Sequence, residues 1–385
     1  MHSHPKTSTM NLHRLVAGAA MFGIALSGLH AQKIADTVVK KDGSRERGVE
    51  VTAFTLTGIK TKKGAEEREI PPHQVADIEW SDLPETFVSG RTAMARGDFD
   101  SARQLFGEAA NQATRPVLKT EAKFLQCRAA VASAATSKQA AADAAGATRA
   151  WLGESADNWR VPEGMLLLGR ALRLAGTGAD AETALKELDD RASRDGWSPV
   201  WAARAKFELA LAQVDQNKGG DARSSFQSAS SAADLALGTP SGDDAELKQI
   251  KIQGRVGEGE TFLAEKDFGR AAEFFRGLAN SGQAELVAAG RAGEGEARYQ
   301  MAVASKNLDE FRAAQVALAQ ASVLDQTSGE ASAKANYYLG MCLLALAARD
   351  DDSSKARANA YFTLVTKAYP TSRWAAAAKA ELAKG

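Results

Sequence analysis

The fold-defining stretch of this 385-residue chain is residues 254–279, GRVGEGETFLAEKDFGRAAEFFRGLA, part of which returns 36 residues later as GRAGEGEARYQMA from Gly290. The stretch predicts a helix over 254–264, a break at 265–268 and a second helix over 269–279. A period in the mid-thirties is the length of one helix–turn–helix repeat in a solenoid, where each helix pair buries its apolar face against the next pair. The sequence therefore predicts a mainly helical array.

A spacing rule extends this array in both directions along the chain. A small residue in a first helix is followed twelve residues later by alanine, and a large apolar residue comes four residues after the alanine. Small residues let two helices cross closely, and the large side chain fills the space toward the next pair. The positions that we assign to the rule, including one from a unit with a longer turn, are Gly90, Ala102, Phe106, Gly169, Ala181, Gly259, Ala271, Phe275 and Gly295.

These residues resemble the tetratricopeptide repeat (TPR) family. The best match is GRTAMARGDFDSA over residues 90–102, and the last unit matches with Gly340, Phe362 and Pro370. The resemblance implies a right-handed α-solenoid of about seven units, closed by a capping helix over 372–384. Residues 118–152 are alanine-rich and follow the pattern poorly. The loop 237–244 divides the array into a first stack, 88–236, and a second stack, 245–385.

The N-terminal 31 residues have the pattern of a secretory signal peptide. Lys6 and Arg14 precede or flank a short apolar run, LVAGAAMFGIAL over 15–26, and small residues come before Gln32. Glutamine rather than cysteine after the predicted cut gives no lipid-anchor signal. We therefore expect an exported bacterial protein, located in the periplasm or cell envelope and not lipid-anchored, with either Met1 or Met10 as its start.

Residues 32–87 predict a small β module. Five short alternating segments are separated by turns, such as the Asp42-Gly43 hairpin turn, and this pattern is typical of a small barrel or a curled sheet. The module resembles SH3-like or Sm-like barrels. Its charged residues are of both signs and few aromatic residues lie between them, so we do not expect it to bind nucleic acid.

The composition argues against most enzymes. The chain carries 48 basic and 48 acidic residues, so it has no global field that would attract a polyanion. His73 is the only histidine after the predicted leader, and Cys127 and Cys342 are far apart, so neither a His/Cys metal site nor a cofactor is predicted. We expect His73 to be a loop residue and both cysteines to be buried thiols. A hydrolase that uses His73 or the acidic pairs Glu258/Glu260 and Glu294/Glu296 is the least favoured alternative, because a spacing of two puts the members of each pair on different faces of a helix.

The candidate partner-binding residues lie on two equivalent first helices. The TPR resemblance implies that first helices line a concave groove. It therefore implies that the residues of these helices that contact a partner are Arg255, Glu258, Arg291, Glu294 and Tyr299. The alternative is that they are ordinary charged and polar residues of a helix surface. For Trp151, Trp159, Trp197 and Trp201 we predict core packing, with a ligand cage as the alternative. The function predicted is a non-enzymatic scaffold that binds a protein or peptide partner. The alternative is a cell-wall or outer-membrane assembly factor whose β module docks to glycan or envelope machinery.

Overall fold

The computed structural model describes residues 36–239, 243–325, 329–347 and 352–384. The predicted leader over 1–31 lies outside these ranges. A five-stranded antiparallel sheet comes first and is followed by fifteen α-helices within the described residues. The strands are β1 (Asp36–Lys40), β2 (Arg45–Phe54), β3 (Ile59–Lys63), β4 (Glu66–Ile70) and β5 (Val75–Glu79).

The helices form seven consecutive hairpin pairs and one final helix, as the repeat period predicts. Each pair packs against the next along the chain. Of two 3-10 turns, Pro72–Gln74 lies between β4 and β5, and Ala134–Thr136 joins the two helices of the second pair. The helices are α1 (Glu85–Ala95), α2 (Phe99–Gln112), α3 (Pro116–Ser133), α4 (Lys138–Glu154), α5 (Val161–Ala175), α6 (Gly178–Arg194), α7 (Val200–Asp215), α8 (Gly219–Ala236), α9 (Asp244–Ala264), α10 (Phe268–Ala279), α11 (Ala284–Ser305), α12 (Leu308–Leu324), α13 (Glu330–Leu346), α14 (Asp352–Ala368) and α15 (Arg373–Leu382).

The sheet has the order β4-β3-β2-β1-β5, so the last strand pairs with the first. The predicted hairpin turn joins β1 to β2, and Gly43 has a φ of +83° there, which favours glycine. Asp36 in β1 is fully buried and joins the sheet to the helices. Both of its carboxylate oxygens accept hydrogen bonds from Arg115 at the start of α3, at 2.8 and 2.6 Å. The sheet and the first helices therefore share one core.

The defining stretch forms the hairpin of α9 and α10, with two differences from the prediction. Helix α9 begins at Asp244 rather than at Gly254, because Leu247 and Ile250 continue its buried face upstream. Helix α10 begins at Phe268 rather than at residue 269, because the Asp267 side chain accepts a hydrogen bond from a backbone amide of the first turn and caps the helix.

The glycines of this stretch are contact points for aromatic rings. A Cβ atom at Gly259 would lie 2.5 Å from Cζ of the fully buried Phe275 in α10. A Cβ at Gly257 would lie 2.7 Å from the Phe226 ring of α8. Helix α9 thus uses one glycine to approach its own partner and another to approach the preceding pair. Gly293 and Gly295 repeat this arrangement in α11.

Other repeat glycines make the same crossing. A Cβ at Gly90 would lie 2.9 Å from the Phe106 ring, one at Gly169 would lie 2.5 Å from Leu185, and one at Gly340 would lie 2.6 Å from Phe362. Ala102, Ala181 and Ala271 have no exposed surface. Pro370 lies in the turn between α14 and α15. The extra residues after Gly295 mainly lengthen α11 to Ser305 rather than the turn, since α12 begins at Leu308.

The poorly matching segment 118–152 nevertheless forms an ordinary pair, α3 and α4. Its small residues are the reason, because Ala141, Ala144 and Ala145 are buried between neighbouring helices. Helix α8 packs directly on α9, with Gly254 next to the backbone of Phe226. The first and second stacks of the sequence prediction thus meet in direct helix contact.

Candidate functional site

A concave site of about 990 Å³ lies on the second half of the array, and we call it the central groove. Its walls come from the first helices of four successive pairs, α7, α9, α11 and α13. Helix α15 closes one end. The side chains that carry its chemistry are Phe207, Leu211, Val214, Gln249, Ile252, Gln253, Val256, Glu260, Val287, Ala288, Leu324, Ala331, Lys334, Arg373 and Trp374.

The floor of the central groove is apolar because the first helices carry aliphatic and aromatic residues at helical spacing on the face that lines it. Phe207, Leu211 and Val214 lie on α7 at intervals of four and three residues, and Ile252 and Val256 lie four apart on α9. These side chains are only partly covered, and Val214 is 40% exposed. An apolar surface of this kind, left open to solvent within a concave wall, is typical of a binding site.

Two glutamine side chains lie within this apolar floor. Gln249 and Gln253 are one helical turn apart on α9, and both side chains are exposed. Neither has a hydrogen-bond partner among the described residues. A side-chain amide offers both donors and an acceptor. The two glutamines can therefore bind the backbone of an extended chain that lies along the groove.

A charged network occupies the end of the central groove next to α15. The ammonium group of Lys334 is almost fully buried, lies 2.7 Å from Oε1 of Glu260 and also pairs with Glu296. Glu296 in turn accepts a hydrogen bond of 2.7 Å from the Tyr338 hydroxyl. Arg373 pairs with the second oxygen of Glu260 at 3.1 Å. The network ties α9, α11, α13 and α15 together.

The network fixes the charge states of its members. Burial alone would raise the pKa of Glu260, but Lys334 and Arg373 outweigh it and hold that pKa well below its usual range. Burial would lower the pKa of Lys334, but Glu260 and Glu296 raise it above its ordinary value. The end of the groove therefore holds buried, compensated charges at neutral pH.

The predicted partner-binding residues lie beside the groove rather than in it. Arg255 and Glu258 pair with each other at 2.6 Å, three residues apart on α9, and burial raises the pKa of Glu258. Arg291 and Glu294 repeat this pair at 2.9 Å on α11, where Glu294 is only 3% exposed. Tyr299 is buried, with its ring 5.3 Å from that of Tyr338.

Sequence reasoning weighed Glu260 and Glu296 only as members of acidic pairs, and it missed Lys334 and Arg373. The spacing of two did correctly place Glu258 and Glu260 on different faces of α9. A buried lysine in an alanine-rich helix has no local sequence signal, because its partners lie 74 and 38 residues away in the chain. The one available signal was the exact return of the motif GEGE, which keeps the second glutamate.

The remaining candidates lie elsewhere. His73 is exposed in the 3-10 turn before β5. Cys127 and Cys342 are buried free thiols, and burial raises their pKa to about 11 and about 12. Trp151 is in the core against Phe124, and Trp159, Trp197 and Trp201 line a second, smaller cleft. Within the described ranges, no group of three or more His, Cys, Asp or Glu residues is placed to hold a metal ion.

Solved structures with a similar arrangement of helices include repeat proteins. The apo form of RapI is 12% identical, covers 77% of this chain and 79% of its own, and has a TM-score of 0.49. The apo quorum sensor NprR from B. thuringiensis is also 12% identical, with 76% and 78% covered and a TM-score of 0.42. A putative kinesin light chain of Podospora anserina with TPR-like repeats is 13% identical, with 53% and 96% covered and a TM-score of 0.36.

No family model matches the chain, and no curated protein matches its sequence. At the identities and TM-scores above, no function follows from the structural similarity. Within the described residues, no helix combines the length and the apolar character that a bilayer crossing requires. The central groove is thus the best-defined candidate site.

Proposed function

We propose that this protein is a non-enzymatic scaffold of the bacterial cell envelope that binds an extended peptide segment of a partner protein in the central groove. The observation that carries the proposal is the open apolar floor shared by four successive first helices. An apolar floor with two unpartnered amides matches a chain that presents side chains and backbone together. Export to the envelope is supported by the signal-peptide pattern of residues 1–31.

The dimensions of the groove suit a peptide of moderate length. Adjacent packed helices lie about 8–10 Å apart, so four first helices in a row span roughly 30 Å. An extended chain rises about 3.3 Å per residue, and about eight residues therefore fit along the groove. Alternate side chains of such a segment would rest on the floor around Leu211, Ile252 and Val256.

The charge of the lining selects the kind of peptide. Four acidic residues line the groove, namely Glu260, Glu265, Asp325 and Glu330, against the two basic residues Lys334 and Arg373, and Glu265 is also paired with Arg223 outside the lining, so an excess of one negative charge remains. A partner segment that is mainly apolar and carries one basic residue complements this excess of acid. An acidic segment would meet like charge.

The test is a binding measurement with an array of peptides of about eight residues, followed by calorimetry on the best binders. Val256→Asp places a charge on the groove floor and should weaken binding at least about tenfold, because burying an unpaired carboxylate is costly. Val316→Asp is the matched control, since Val316 is 60% exposed on α12 outside the groove. Equal affinity of the two variants, or selection of acidic peptides only, would contradict the proposal.

Export is tested separately by cell fractionation and intact-mass analysis of the protein in the cytoplasmic and envelope fractions. The mature chain should begin at Gln32 and be found in the envelope fraction. Recovery of the chain in the cytoplasmic fraction with residues 1–31 retained would contradict the envelope location, whereas the proposal of peptide binding in the central groove would stand.

A further inference from the structure

A second cleft, of about 550 Å³, lies between the β sheet and the first half of the array. We call it the junction cleft. Its walls come from the turns that join β1 to β2, β2 to β3 and β4 to β5, from α3, and from the N-terminal ends of α5, α7 and α9. The residues that matter most for its chemistry are Arg128, Trp159, Trp197, Ser198, Trp201 and Arg204.

The ionised side chains of the junction cleft already compensate one another. Lys41 lies 2.6 Å from Asp243, and Arg128 lies 2.5 Å from Glu163. Five cationic and four anionic side chains line the cleft, so its net charge is close to zero. A strongly anionic or cationic ligand would have to displace one of these pairs, at the cost of leaving a charge unpaired. The cleft therefore favours a neutral ligand.

The cleft also contains polar atoms that have no partner. Nε of Arg128, Nε1 of Trp159 and Oγ of Ser198 are buried and make no hydrogen bond among the described residues. Trp159 itself is only 7% exposed. Buried donors without acceptors are rare in folded proteins and each costs about 1–3 kcal/mol. Three of them around one cleft favour a ligand that is rich in hydrogen-bond acceptors.

Two indoles supply the apolar part of the surface. Trp197 and Trp201 are half-buried at the N-terminal end of α7 and line the cleft. The guanidinium group of Arg204 lies 4.3 Å from the centre of the Trp201 ring and fixes its orientation. Arg204 thus covers one face of Trp201, and Arg191 covers one face of Trp197 at 4.8 Å, so the apolar surface that each indole offers to a ligand is its opposite face.

We propose that the junction cleft binds a neutral saccharide. A sugar ring has an apolar C–H face that can rest on Trp197 or Trp201, and its ring and hydroxyl oxygens can accept hydrogen bonds from the orphan donors. Its hydroxyl protons can be donated to the carboxylates of the paired residues, such as Glu246, without breaking the pairs. The volume of the cleft is within the range of about 300–1,000 Å³ that is usual for small-ligand sites. This site is separate from the central groove and does not depend on peptide binding there.

The proposal is tested by titrating the full chain with a panel of neutral hexose and N-acetylhexosamine oligosaccharides, and with inorganic phosphate and an acidic peptide as alternative probes. Saturation-transfer NMR and calorimetry report binding. At least one neutral oligosaccharide should bind saturably, whereas phosphate and the acidic peptide should not compete. Failure of every saccharide in the panel would mean that water alone fills the cleft and would overturn the proposal, as would preferential binding of either anion.

Variants locate the site. Ser198→Ala removes one orphan donor with little change in volume and should weaken saccharide binding by about 2- to 10-fold. Trp201→Phe should also weaken it, because the smaller ring covers less of the sugar. Ser228→Ala, at an exposed position of α8 outside both the central groove and the junction cleft, is the matched control and should bind as the wild type does. If Ser198→Ala and Trp201→Phe, both with wild-type melting curves, bind like the control, the assignment of the site is wrong.

Discussion

The close approach of α9 to α10 predicts opposite effects for two glycine substitutions in one helix pair. Gly259 faces the buried Phe275 ring, and an added Cβ would lie 2.5 Å from Cζ of that ring. Gly277 lies in α10 with no atom within 4 Å of the place where its Cβ would stand. Both glycines are helical, so replacement by alanine removes the same backbone-entropy cost at each position. The comparison therefore isolates the packing of the crossing.

The expected magnitudes follow from these two environments. Alanine is favoured over glycine in a helix by about 0.5–1 kcal/mol, so Gly277→Ala should stabilise the protein by that amount. At Gly259 the same gain is opposed by overpacking, which costs about 1–3 kcal/mol. The Phe275 ring cannot move away freely, because the backbone of Gly293 in α11 also packs against it, so closely that a Cβ atom at that glycine would overlap the ring. Gly259→Ala should thus be less stable than Gly277→Ala by about 1–3 kcal/mol.

The assay is urea unfolding followed by circular dichroism, with both variants and the wild type measured side by side. Phe275→Leu provides an internal check, since the shorter side chain relieves the overlap with residue 259. In a double-mutant cycle, Gly259→Ala should cost less in the Phe275→Leu background, with a coupling of about 0.5–3 kcal/mol. Equal stability of Gly259→Ala and Gly277→Ala, or an absence of coupling, would refute this account of the crossing.

Three further predictions concern buried groups. Burial would raise the pKa of Asp36, but hydrogen bonds from Arg115, Val51 and Ser81 lower it below its ordinary value. The ionised carboxylate therefore contributes to the free energy of unfolding at neutral pH, and this contribution is lost as the pH falls through the lowered pKa. The stability of Asp36→Asn, measured by acid unfolding, should consequently depend less on pH than that of the wild type. Lys334→Met should lower the free energy of unfolding by about 3–5 kcal/mol in chemical denaturation, because it leaves the buried Glu296 without a counter-charge and Glu260 with Arg373 alone, and a change below about 1 kcal/mol would contradict the network. Burial raises the pKa of Cys127 to about 11 and that of Cys342 to about 12. Both thiols should therefore react with iodoacetamide at pH 8 only as fast as local or global unfolding exposes them. Mass spectrometry would show this by comparing the alkylation rate of the folded chain with that of the unfolded chain.

The helical array could be predicted from the sequence because its packing rule is local. A small residue in one helix and a large apolar one in the next are separated by a nearly constant number of residues, and the motif GRxGEGE occurs twice. The same motif contains two more glycines than one crossing needs. Gly254 and Gly257 approach the preceding helix pair, and their counterparts Gly290 and Gly293 do the same. The return of these extra glycines in both copies of the motif indicates that both sides of the first helix are closely packed.

The residues that line the central groove could not be predicted, because which side chains meet there depends on the curvature of the whole array. Glu260 meets Lys334 and Arg373, which are 74 and 113 residues further along the chain. Small rotations between successive repeats accumulate to bring these helices together, and no single repeat determines their sum. The helical period separates Glu258 from Glu260, but it does not say which of the two faces the concave side.

In the two copies of the repeated motif, the first glutamate forms an ion pair within its own helix and the second contributes to the charged network at the groove. In each copy the arginine pairs with the first glutamate three residues later, as Arg255 does with Glu258, so this pair satisfies itself on one helix. The second glutamates, Glu260 and Glu296, are left to meet on Lys334 from two different helices. A carboxylate that is already paired within its own helix gains little from a second cation. The network around Lys334, in contrast, extends to Arg373 at the edge of the groove. The motif therefore repeats for packing, and the position of its second glutamate lets the array build a charged end wall for the groove.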